Sequence, residues 1–373
     1  MIFHKRFLVF ILLFCLFSYR YAIADENTEK VTVVILDAEG NPITNEKEVE
    51  NNDSVLLTMS FAGDVTIGTN VQHKGASIFE KELERHGSNI HFAFSNVKDI
   101  FQSDDLTMVN FEGTLTSASR NPSKLNNAFL FRADPSYVDL FSRNGIETVS
   151  LENNHVLDMG EDGNIETKRT LLNAGITYAS ENEPAIMTVK GIKIGSLAYQ
   201  TFGGRHDELI DKVPNDIENL RDAGCQIIIV SYHWGNEKDT TPNENQIRLG
   251  RATIDAGADL VVGHHSHRIN PIEYYHDRYI CYSLGNFCFA GNSKPDDMST
   301  YIFQIRIQVI NNVATSEHIR IVPCRISSNT DYNDFTPTPY EKASDVEALI
   351  KKLVRNSRGL EYAIDEYPLI WGD

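Results

Sequence analysis

From Val55 onward, the sequence alternates between short apolar runs and longer amphipathic segments. Five of the runs read VLLTMSFAG, LTMVNFEG, IETVSLENN, IIIVSYHWG and ADLVVGHHS. A run that is apolar on both faces predicts a strand buried between two layers, as in parallel sheets covered by helices. The alternation therefore predicts an α/β fold.

Two of the amphipathic segments carry residues that commonly begin and end helices. Asp134-Pro135 supplies an N-cap and a first-turn proline, and Gly145 would end that helix; Thr241-Pro242 and Gly257 repeat the arrangement. Other regions leave no room for helices between strands, and such closely joined strands pair antiparallel. These regions are residues 185–199, 271–289 and 301–322, so we expect mixed sheets.

The amino terminus has the pattern of a secretory signal peptide. Basic Lys5-Arg6 precede an apolar stretch over residues 7–17, and Ala22-Ile23-Ala24 places small residues at a cleavage position. Because that stretch is too short to span a bilayer comfortably, we expect cleavage after Ala24 and export to the periplasm, the cell envelope or the medium. An uncleaved anchor and lipidation at Cys15 are the alternatives.

Beyond the signal peptide of residues 1–24, the sequence predicts three regions. Residues 25–53 hold one alternating strand, a turn and a polar acidic run, which indicates a linker or a small β-hairpin. Residues 54–330 carry the α/β pattern. Residues 331–373 contain an amphipathic helix and a tail that we expect to pack on that domain.

Charge argues against nucleic-acid binding. The chain has 34 basic and 52 acidic residues, and its first 24 residues contain three of the basic ones and none of the acidic ones. The remainder therefore has 31 basic and 52 acidic residues, a net charge of −21. Such a surface repels phosphate backbones, so no nucleic-acid partner is expected.

Polar side chains of a few types follow five of the apolar runs. The carboxyl ends of neighbouring strands in an open α/β sheet meet at one edge, where ligands bind. Each residue alone is typical of a turn or a strand end. Their recurrence at five strand ends indicates one shared site. The residues are Asp64, Asn110, Glu112, Asn153, Asn154, His155, His233, His264, His265 and His267.

The donor types at these strand ends suit a metal centre. Imidazole, carboxylate and carboxamide groups form a mixed nitrogen and oxygen set that suits Mn, Fe or Zn, so one or two divalent ions are expected. In an extended strand, His265 and His267 would point to the same side, which favours them as ligands. A register one residue earlier would select His264 instead; otherwise His264 would face away or serve a second role.

Six segments, in order, resemble the signatures of one known family. They are FAGDVTIG, NFEGTL, ENNHVLDMG, YHWGNE, DAGADLVVGHHSH and YSLGNFCF. These segments look like those of the CapA/PgsA family of capsule and poly-γ-glutamate biosynthesis proteins, which is related to calcineurin-like metallophosphoesterases. The resemblance implies a four-layer α/β/β/α sandwich of two mixed sheets with a binuclear-type metal cleft.

The resemblance also implies roles for individual residues. The positions that match the family's metal ligands are Asp64, Glu112, Asn154, His233, His265 and His267. His155 resembles the histidine that contacts a phosphoryl oxygen or protonates the leaving group, with Asp158 or a backbone carbonyl holding it in place. The other polar residues near these strand ends are candidates for substrate binding: Asn110, Asn153, His264 and Asn286.

The sequence also departs from these families. Thr66 stands where metallophosphoesterases carry a histidine ligand, and Asn110-Phe111-Glu112 replaces their second aspartate motif, so one metal position is a ligand poorer. CapA-like sequences generally place an arginine shortly after the first motif, but this chain continues Gly68-Thr69-Asn70. Arg132 or Arg205 would then have to bind a phosphate in its place.

The expected function is metal-dependent hydrolysis or transfer at a phosphoester in capsule or poly-γ-glutamate biosynthesis. A bound divalent ion would lower the pKa of its water to roughly 7, and His155 would act as general acid. Two alternatives stay open. One is a non-catalytic, metal-binding accessory module for synthesis or export of an anionic polymer, with membrane-bound synthase components as partners. The other is hydrolysis or transfer of a γ-glutamyl amide.

Overall fold

The computed structural model of the protein describes residues 54–72, 77–118, 124 and 129–372. The predicted signal peptide and the linker or hairpin of residues 25–53 lie outside them. The strands are β1 (Val55–Thr66), β2 (Thr69–Asn70), β3 (Leu106–Phe111), β4 (Thr114–Leu115), β5 (Phe131–Ala133), β6 (Thr148–Ser150), β7 (Thr177–Ala179), β8 (Ala185–Val189), β9 (Ile192–Gln200), β10 (Ile227–His233), β11 (Leu260–His264), β12 (Ile272–Tyr275), β13 (Arg278–Cys281), β14 (Asn286–Phe289), β15 (Ser299–Ile310), β16 (Val313–Arg325) and β17 (Thr338–Pro339). The α-helices are α1 (Ile78–Arg85), α2 (Lys98–Gln102), α3 (Asp139–Ser142), α4 (Gly160–Asn173), α5 (His206–Asp222), α6 (Glu244–Asp255) and α7 (Ala343–Asn356).

Two mixed sheets carry most of these strands. The larger has eight strands in the order β17-β16-β15-β1-β3-β6-β7, and β14 pairs with the end of β1 that β15 leaves free. The smaller has six strands in the order β12-β13-β11-β10-β9-β8. It is parallel at its centre and antiparallel at both edges. The mixed sheets expected from the sequence are therefore present.

Apolar side chains form three layers, one between the sheets and one outside each of them. Phe61 of β1 and Ile229 of β10 lie in the cluster between the sheets. One residue further along each strand, Ala62 packs with the residues of α1 to α4, and Val230 packs with α5 and α6. Successive strand residues face opposite sides, so both sheets are covered on both faces. This α/β/β/α order confirms the predicted fold class.

The helix starts agree only partly with the sequence. Asp134 caps a 3₁₀ helix, Pro135–Val138, that leads directly into α3, and its side chain accepts a hydrogen bond from the Ser136 amide at 2.9 Å. The prediction that Thr241 begins the next helix is wrong. Asn243 caps α6. Its side chain accepts a hydrogen bond from the Gln246 amide at 3.0 Å, and the Gln246 side chain accepts one from the Asn243 amide at 3.0 Å. This reciprocal arrangement satisfies two amides at once.

Residues 271–289 were expected to pair antiparallel, and this is correct for β12 with β13 but wrong for β14. The chain leaves the smaller sheet after β13 and joins the larger sheet as β14, which runs parallel to β1. The residues between these strands, Tyr282–Gly285, therefore cross from one sheet to the other. We call them the crossing segment. It places Asn286 opposite Asp64 in the register of β1 and β14.

Two glycines make room for the crossing segment. A Cβ atom on Gly63 would lie 1.9 Å from the carbonyl oxygen of Gly285, and one on Gly263 would lie 2.1 Å from that of Tyr282. The main chain can pass this closely only where no side chain intervenes. The crossing segment thus contacts the backbone at Gly263, one residue before the end of β11, and at Gly63, near the end of β1.

Helix α7 and the residues after it cover the layer between the sheets. Leu349, Leu353 and Tyr367 are buried in that layer. The Ile321 amide donates a hydrogen bond to the Pro368 carbonyl at 2.8 Å, which holds the tail on β16. Among the helices of the described residues, none combines the length and apolar character needed to cross a bilayer.

The cysteines of the described residues are free and buried; they are Cys225, Cys281, Cys288 and Cys324. Burial raises the pKa of the Cys281 thiol well above its ordinary value. A protonated, buried thiol is a poor nucleophile and a poor metal ligand. These cysteines therefore act as core residues.

Candidate metal centre

The residues predicted from the sequence meet where the carboxyl ends of strands from both sheets come together. Asp64 lies near the end of β1, and Glu112 directly follows β3. His233 and His264 end β10 and β11 and are paired across the smaller sheet. Asn153-Asn154 follow β6. The site is therefore built from two sheets, each of which contributes part of it.

Asp64 is fully buried and contacts several members of the cluster. Its Oδ1 accepts a hydrogen bond from Asn110 Nδ2 at 2.9 Å and lies 3.3 Å from His264 Nδ1, and its Oδ2 lies 3.2 Å from His267 Nδ1. Burial alone would raise the pKa of this carboxyl. The two imidazoles outweigh burial and hold the pKa well below its usual range, so Asp64 is ionised.

Glu112 is the second fully buried carboxyl group. Its Oε1 accepts a hydrogen bond from Asn110 Nδ2 at 3.1 Å and lies 3.5 Å from His233 Nε2. Burial and the negative charge of Asp64 raise its pKa well above the ordinary value. Without a bound ion the site therefore disfavours the charged form of Glu112, whereas a divalent cation would favour ionisation of both carboxyls.

His233 and His265 form the imidazole pair next to Glu112. His233 Nε2 lies 2.8 Å from Asn154 Oδ1, and the centres of the two rings are 4.6 Å apart. Burial, reinforced by the charge of His265, lowers the pKa of His233 well below its ordinary value. Burial and the charge of His267 lower the pKa of His265 to about 4. Both rings are neutral near pH 7 and can offer a lone pair to a metal.

The extended conformation predicted for His265 and His267 is wrong. Strand β11 ends at His264, and the two residues adopt positive φ angles of 91° and 55° in the bend that follows. His267 still reaches Asp64, and its Nδ1 lies 2.8 Å from Asn286 Oδ1. Burial would lower the pKa of His267, but the adjacent carboxylates outweigh it and raise this pKa to about 9.

His264 does not face away from the site. Its side chain lies on the same face of the smaller sheet as that of its strand partner His233, and its Nδ1 is directed toward Asp64. The sequence posed His264 and His265 as alternatives. The structure places both imidazoles in the cluster.

Asn110 and Asn153, predicted to bind substrate, form hydrogen bonds within the protein: Asn110 contacts both carboxylates, and Asn153 contacts Asn110 and the backbone of Phe111. Asn110 Nδ2 donates to both Asp64 and Glu112. Asn153 Nδ2 donates to Asn110 Oδ1 at 3.3 Å and to the carbonyl oxygen of Phe111 at 2.8 Å. Both are buried, so they orient the carboxylates of the cluster.

Several polar atoms of the cluster are left unpaired by the protein itself. The buried atoms without a hydrogen-bond partner in the described part of the chain include Asp64 Oδ2, Glu112 Oε2, His264 Nδ1 and His265 Nδ1. Each such atom costs about 1–3 kcal/mol unless something else satisfies it. The donor atoms of Asp64, Glu112 and His233 all lie within 4.8 Å of one another. The residues present therefore fit a divalent metal ion.

His155 belongs to a second arrangement beside these residues. Its Nδ1 lies 2.8 Å from Asp158 Oδ2, which also accepts a hydrogen bond from the Phe131 amide at 2.7 Å. Lys124 Nζ donates to Asp158 Oδ1 at 3.0 Å and to the Asn154 carbonyl at 2.7 Å. Lys124 was missed from the sequence because it lies in no motif and follows no strand.

The two arginines proposed to bind phosphate are engaged elsewhere. Arg205 Nη1 donates to Glu181 at 2.7 Å, and the same guanidinium also binds Glu208 through Nε at 3.0 Å. Arg132 Nη1 donates to the Ala118 carbonyl at 3.2 Å. Each would have to give up these contacts to bind an anion.

Phenylalanine rings surround the histidines of the site. Ring centres lie 4.8 Å apart for Phe202 and His265, 4.7 Å apart for Phe289 and His267, and 4.8 Å apart for Phe131 and His155. Phe202 is 39% exposed, which places it at the surface beside the cluster. Apolar rings lower the local dielectric constant and strengthen the electrostatic interactions of the site.

The part of the chain that contains these site residues matches a known protein family. Residues 58–291 match the family model described as Bacterial capsule synthesis protein PGA_cap. The chain belongs to the PGA_cap family. The matched range contains every predicted site residue from Asp64 to Asn286, and the resemblance to capsule biosynthesis proteins is confirmed.

Curated relatives of this PGA_cap chain extend the match beyond the family model. The chain is 28% identical over 330 residues to the PGA biosynthesis protein CapA of Bacillus subtilis, with 83% of this chain and 81% of the relative covered. It is 26% identical over 332 residues to the capsule biosynthesis protein CapA of Bacillus anthracis, with 83% and 75% covered. A solved structure described as a novel phosphatase of Mycoplasma pneumoniae aligns with a TM-score of 0.43 at 11% identity, covering 72% of this chain and 93% of that one. A structural similarity of this size carries no argument about activity.

Proposed function

We propose that this PGA_cap chain is an exported, metal-dependent enzyme of capsule or poly-γ-glutamate biosynthesis that hydrolyses or transfers a group at a phosphoester. The observation that carries the proposal is the buried cluster around Asp64, Glu112 and His233, whose donor atoms lie within 4.8 Å of one another. Several polar atoms in this cluster have no hydrogen-bond partner among the residues that the structure describes, and buried polar groups in a purely structural network are normally paired. The nitrogen and oxygen donors suit Mn, Fe or Zn.

The residues of the site would divide the work of such a reaction. A bound ion would polarise an ester oxygen and lower the pKa of its water. Asp64, Glu112, Asn154, His233, His265 and His267 would hold it. His155 is oriented through Nδ1 by Asp158, which leaves Nε2 to donate a proton to the leaving group. Lys124 fixes Asp158 from its other side.

A second candidate, hydrolysis or transfer of a γ-glutamyl amide, is favoured by the partners of the nearby arginines. Phosphate groups are commonly bound by a bidentate guanidinium. Arg205 already binds two carboxylates, and Arg132 donates to a backbone carbonyl. An amide carbonyl needs no such cation, because its hydrolysis would require only that the ion held by Asp64, Glu112 and His233 activate water and that His155 supply a proton.

One pair of assays separates these candidates. The purified chain, loaded in turn with Mn²⁺, Fe²⁺ and Zn²⁺, is assayed on bis(p-nitrophenyl) phosphate and on γ-glutamyl p-nitroanilide. We expect turnover of the phosphodiester that is lost in Asp64→Asn. His155→Ala should slow an unactivated alkyl phosphodiester, whose leaving group needs the proton, about 100-fold with bound metal unchanged, and should slow the p-nitrophenyl ester much less. Turnover of the anilide alone would show that the substrate is a γ-glutamyl amide and not a phosphoester. Bound metal without either turnover would indicate an accessory module.

We further propose that the exported chain works beside membrane-bound components of a polymer synthase. The signal-peptide pattern of residues 1–24 supports export. The relatives named for PGA and capsule biosynthesis support a place in polymer synthesis. The strongly acidic surface would repel an anionic polymer at long range, and a bound cation would reverse that field locally.

A further inference from the structure

His264 has no assigned task in the proposed metal centre, yet its position suits one. We propose that His264 is itself a metal ligand, so that four imidazoles rather than three bind metal in this cluster. This inference rests on the proposed metal centre and adds one ligand to it. The evidence is the backbone position of His264, the distance of its Nδ1 from Asp64, and the absence of any other partner for that atom within the described part of the chain.

The backbone around His264 is held in place by neighbours on two sides. Its carbonyl oxygen accepts a hydrogen bond from the Trp234 amide at 3.4 Å, and Gly263 accepts one from the Leu284 amide at 3.4 Å. The register of β10 and β11 pairs His264 with His233, so both side chains lie on the same face. The imidazole is thus directed to the cluster by strand pairing and does not depend on a loop.

The distances around Asp64 suit two ligands of one ion. His264 Nδ1 lies 3.3 Å from Asp64 Oδ1, and His267 Nδ1 lies 3.2 Å from Asp64 Oδ2. Two donor atoms that bind one ion through bonds of about 2.1 Å are separated by about 3.0–3.4 Å at ordinary coordination angles. Both measured separations fall in that interval.

No residue that the structure describes forms a hydrogen bond with His264 Nδ1. Asp64 Oδ1 already accepts a well-formed hydrogen bond from Asn110, and His264 Nδ1 forms none with any described residue. The residue is 2% exposed, so bulk water does not solvate it. A buried nitrogen that faces a carboxylate without an aligned hydrogen bond has the arrangement expected of a metal ligand.

A fourth imidazole changes the metal preference of the cluster. Carboxylate and carbonyl oxygens favour Mg²⁺ and Ca²⁺, whereas imidazole nitrogens favour Zn²⁺, Fe²⁺ and related ions. With His264 included, histidine nitrogens outnumber the two buried carboxylates by two to one. We therefore expect the chain to bind Zn²⁺ or Fe²⁺ in preference to Mg²⁺.

The first test counts coordinated imidazoles in the wild-type chain. The full chain is labelled with ¹⁵N-histidine and saturated with ¹¹³Cd²⁺, and the imidazole nitrogens that show ¹¹³Cd–¹⁵N coupling are counted by NMR. Four coupled imidazoles, from His233, His264, His265 and His267, are expected. Three or fewer with bound cadmium would overturn the assignment of His264 alone. No bound cadmium would overturn the metal centre as well.

The second test assigns the extra signal with a matched pair of variants. His264→Asn should remove one coupled imidazole and lower Zn²⁺ affinity at least 10-fold in competition with a chelator. His276→Asn should change neither value, because that exposed side chain pairs with Asp255 away from the site. Weaker binding with all coupled imidazoles retained would show that His264 only positions Asp64, which would overturn the proposal. If the His264 variant does not fold, the wild-type count still decides.

Discussion

Asp64 and Glu112 are buried in the same cluster, but their carboxyl groups respond to it in opposite directions. The imidazoles of His264 and His267 hold the pKa of Asp64 well below its usual range. Burial and the charge of Asp64 raise the pKa of Glu112. Without a bound ion, the lowered pKa of Asp64 contributes stability, whereas the raised pKa of Glu112 means that burying this carboxyl costs stability.

Substituting each carboxyl by its amide should accordingly change metal-free stability in opposite directions. Glu112→Gln mimics the protonated form and should raise the Tm of the EDTA-treated chain by roughly 3 °C, the shift that about 1 kcal/mol produces in a domain of this size. Asp64→Asn should lower it. Thermal unfolding with EDTA and with excess Zn²⁺ measures both, and we expect neither variant to gain the stabilisation that the ion gives the wild type. A lower metal-free Tm in Glu112→Gln would contradict this account.

The pH dependence of the metal-free chain should have two limbs with different origins. The pKa of His267 is raised from its ordinary value of 6.5 to about 9. Protonated His267 therefore contributes fully to the free energy of unfolding below pH 6.5, and this contribution is lost as the pH rises through 9. Full loss corresponds to about 3 kcal/mol. The pKa of His265 is lowered to about 4, so stability also falls as the pH drops below 6.5 toward 4.

Urea unfolding of the EDTA-treated chain between pH 4 and pH 9.5 should therefore give maximal stability near pH 6.5. His267→Asn should reduce the alkaline limb to the part that the raised pKa of Glu112 causes, and it should leave the acid limb in place. An alkaline limb that persists unchanged in this variant would assign the titration to another group.

Among the structural elements, the crossing segment matters most to the site. Its carbonyl groups approach Gly63 and Gly263 so closely that neither position has space for a Cβ atom. The Asp64 amide also donates a hydrogen bond to the Gly285 carbonyl at 2.9 Å. The position of Asp64 thus depends directly on this segment.

Gly63→Ala should therefore destabilise the chain by about 1–3 kcal/mol and reduce bound metal, because the added methyl group must displace the Gly285 backbone. Gly250→Ala is the control. Its Cβ would lie 3.3 Å from side-chain carbons of Ile280 and Trp234, and α6 gains helix propensity from the change. Chemical denaturation and elemental analysis measure both effects. Equal stability and equal bound metal in the two variants would refute the proposed role of the contact between Gly63 and the Gly285 carbonyl.

Which elements could be predicted from the sequence depends on how local their causes are. The buried strands β1, β3, β10 and β11 follow from apolar runs that no other element accommodates as well. The parallel pairing of β14 could not be predicted, since it depends on the part of β1 that β15 leaves unpaired. The bend after His264 also escaped prediction, because histidine, unlike glycine, gives no local signal for the positive φ angles found at His265 and His267.

At the scale of the whole molecule, the residues of the site are easier to predict from the sequence than the contacts that position them. The recurrence of Asp, Glu, Asn and His at strand ends identified the residues that the two sheets bring together. The contacts of Lys124 with Asp158 and Asn154 join distant parts of the chain, so no local pattern indicates them. Residues of the site lie at strand ends, which the sequence indicates. Residues that hold them in place, such as Lys124, are brought there by tertiary packing, which the sequence does not indicate.

Export also concerns the whole molecule and has a direct test. If residues 1–24 are a cleaved signal peptide, the chain recovered from the cell envelope or medium should begin at Asp25. Intact-mass spectrometry of the expressed full-length protein measures this end. Replacing Ala24 by a bulky residue should slow cleavage and serves as the control. A mature chain that retains Met1 would favour the uncleaved anchor.

The crossing segment has a mechanical consequence for the two sheets. Four extended residues reach about 14 Å, little more than the roughly 10 Å that separates packed sheets. The covalent chain therefore limits how far the sheets can separate at the end where Asp64 and His264 face each other. Hinge-like opening between the two halves of the donor set is therefore limited to about 4 Å at this end.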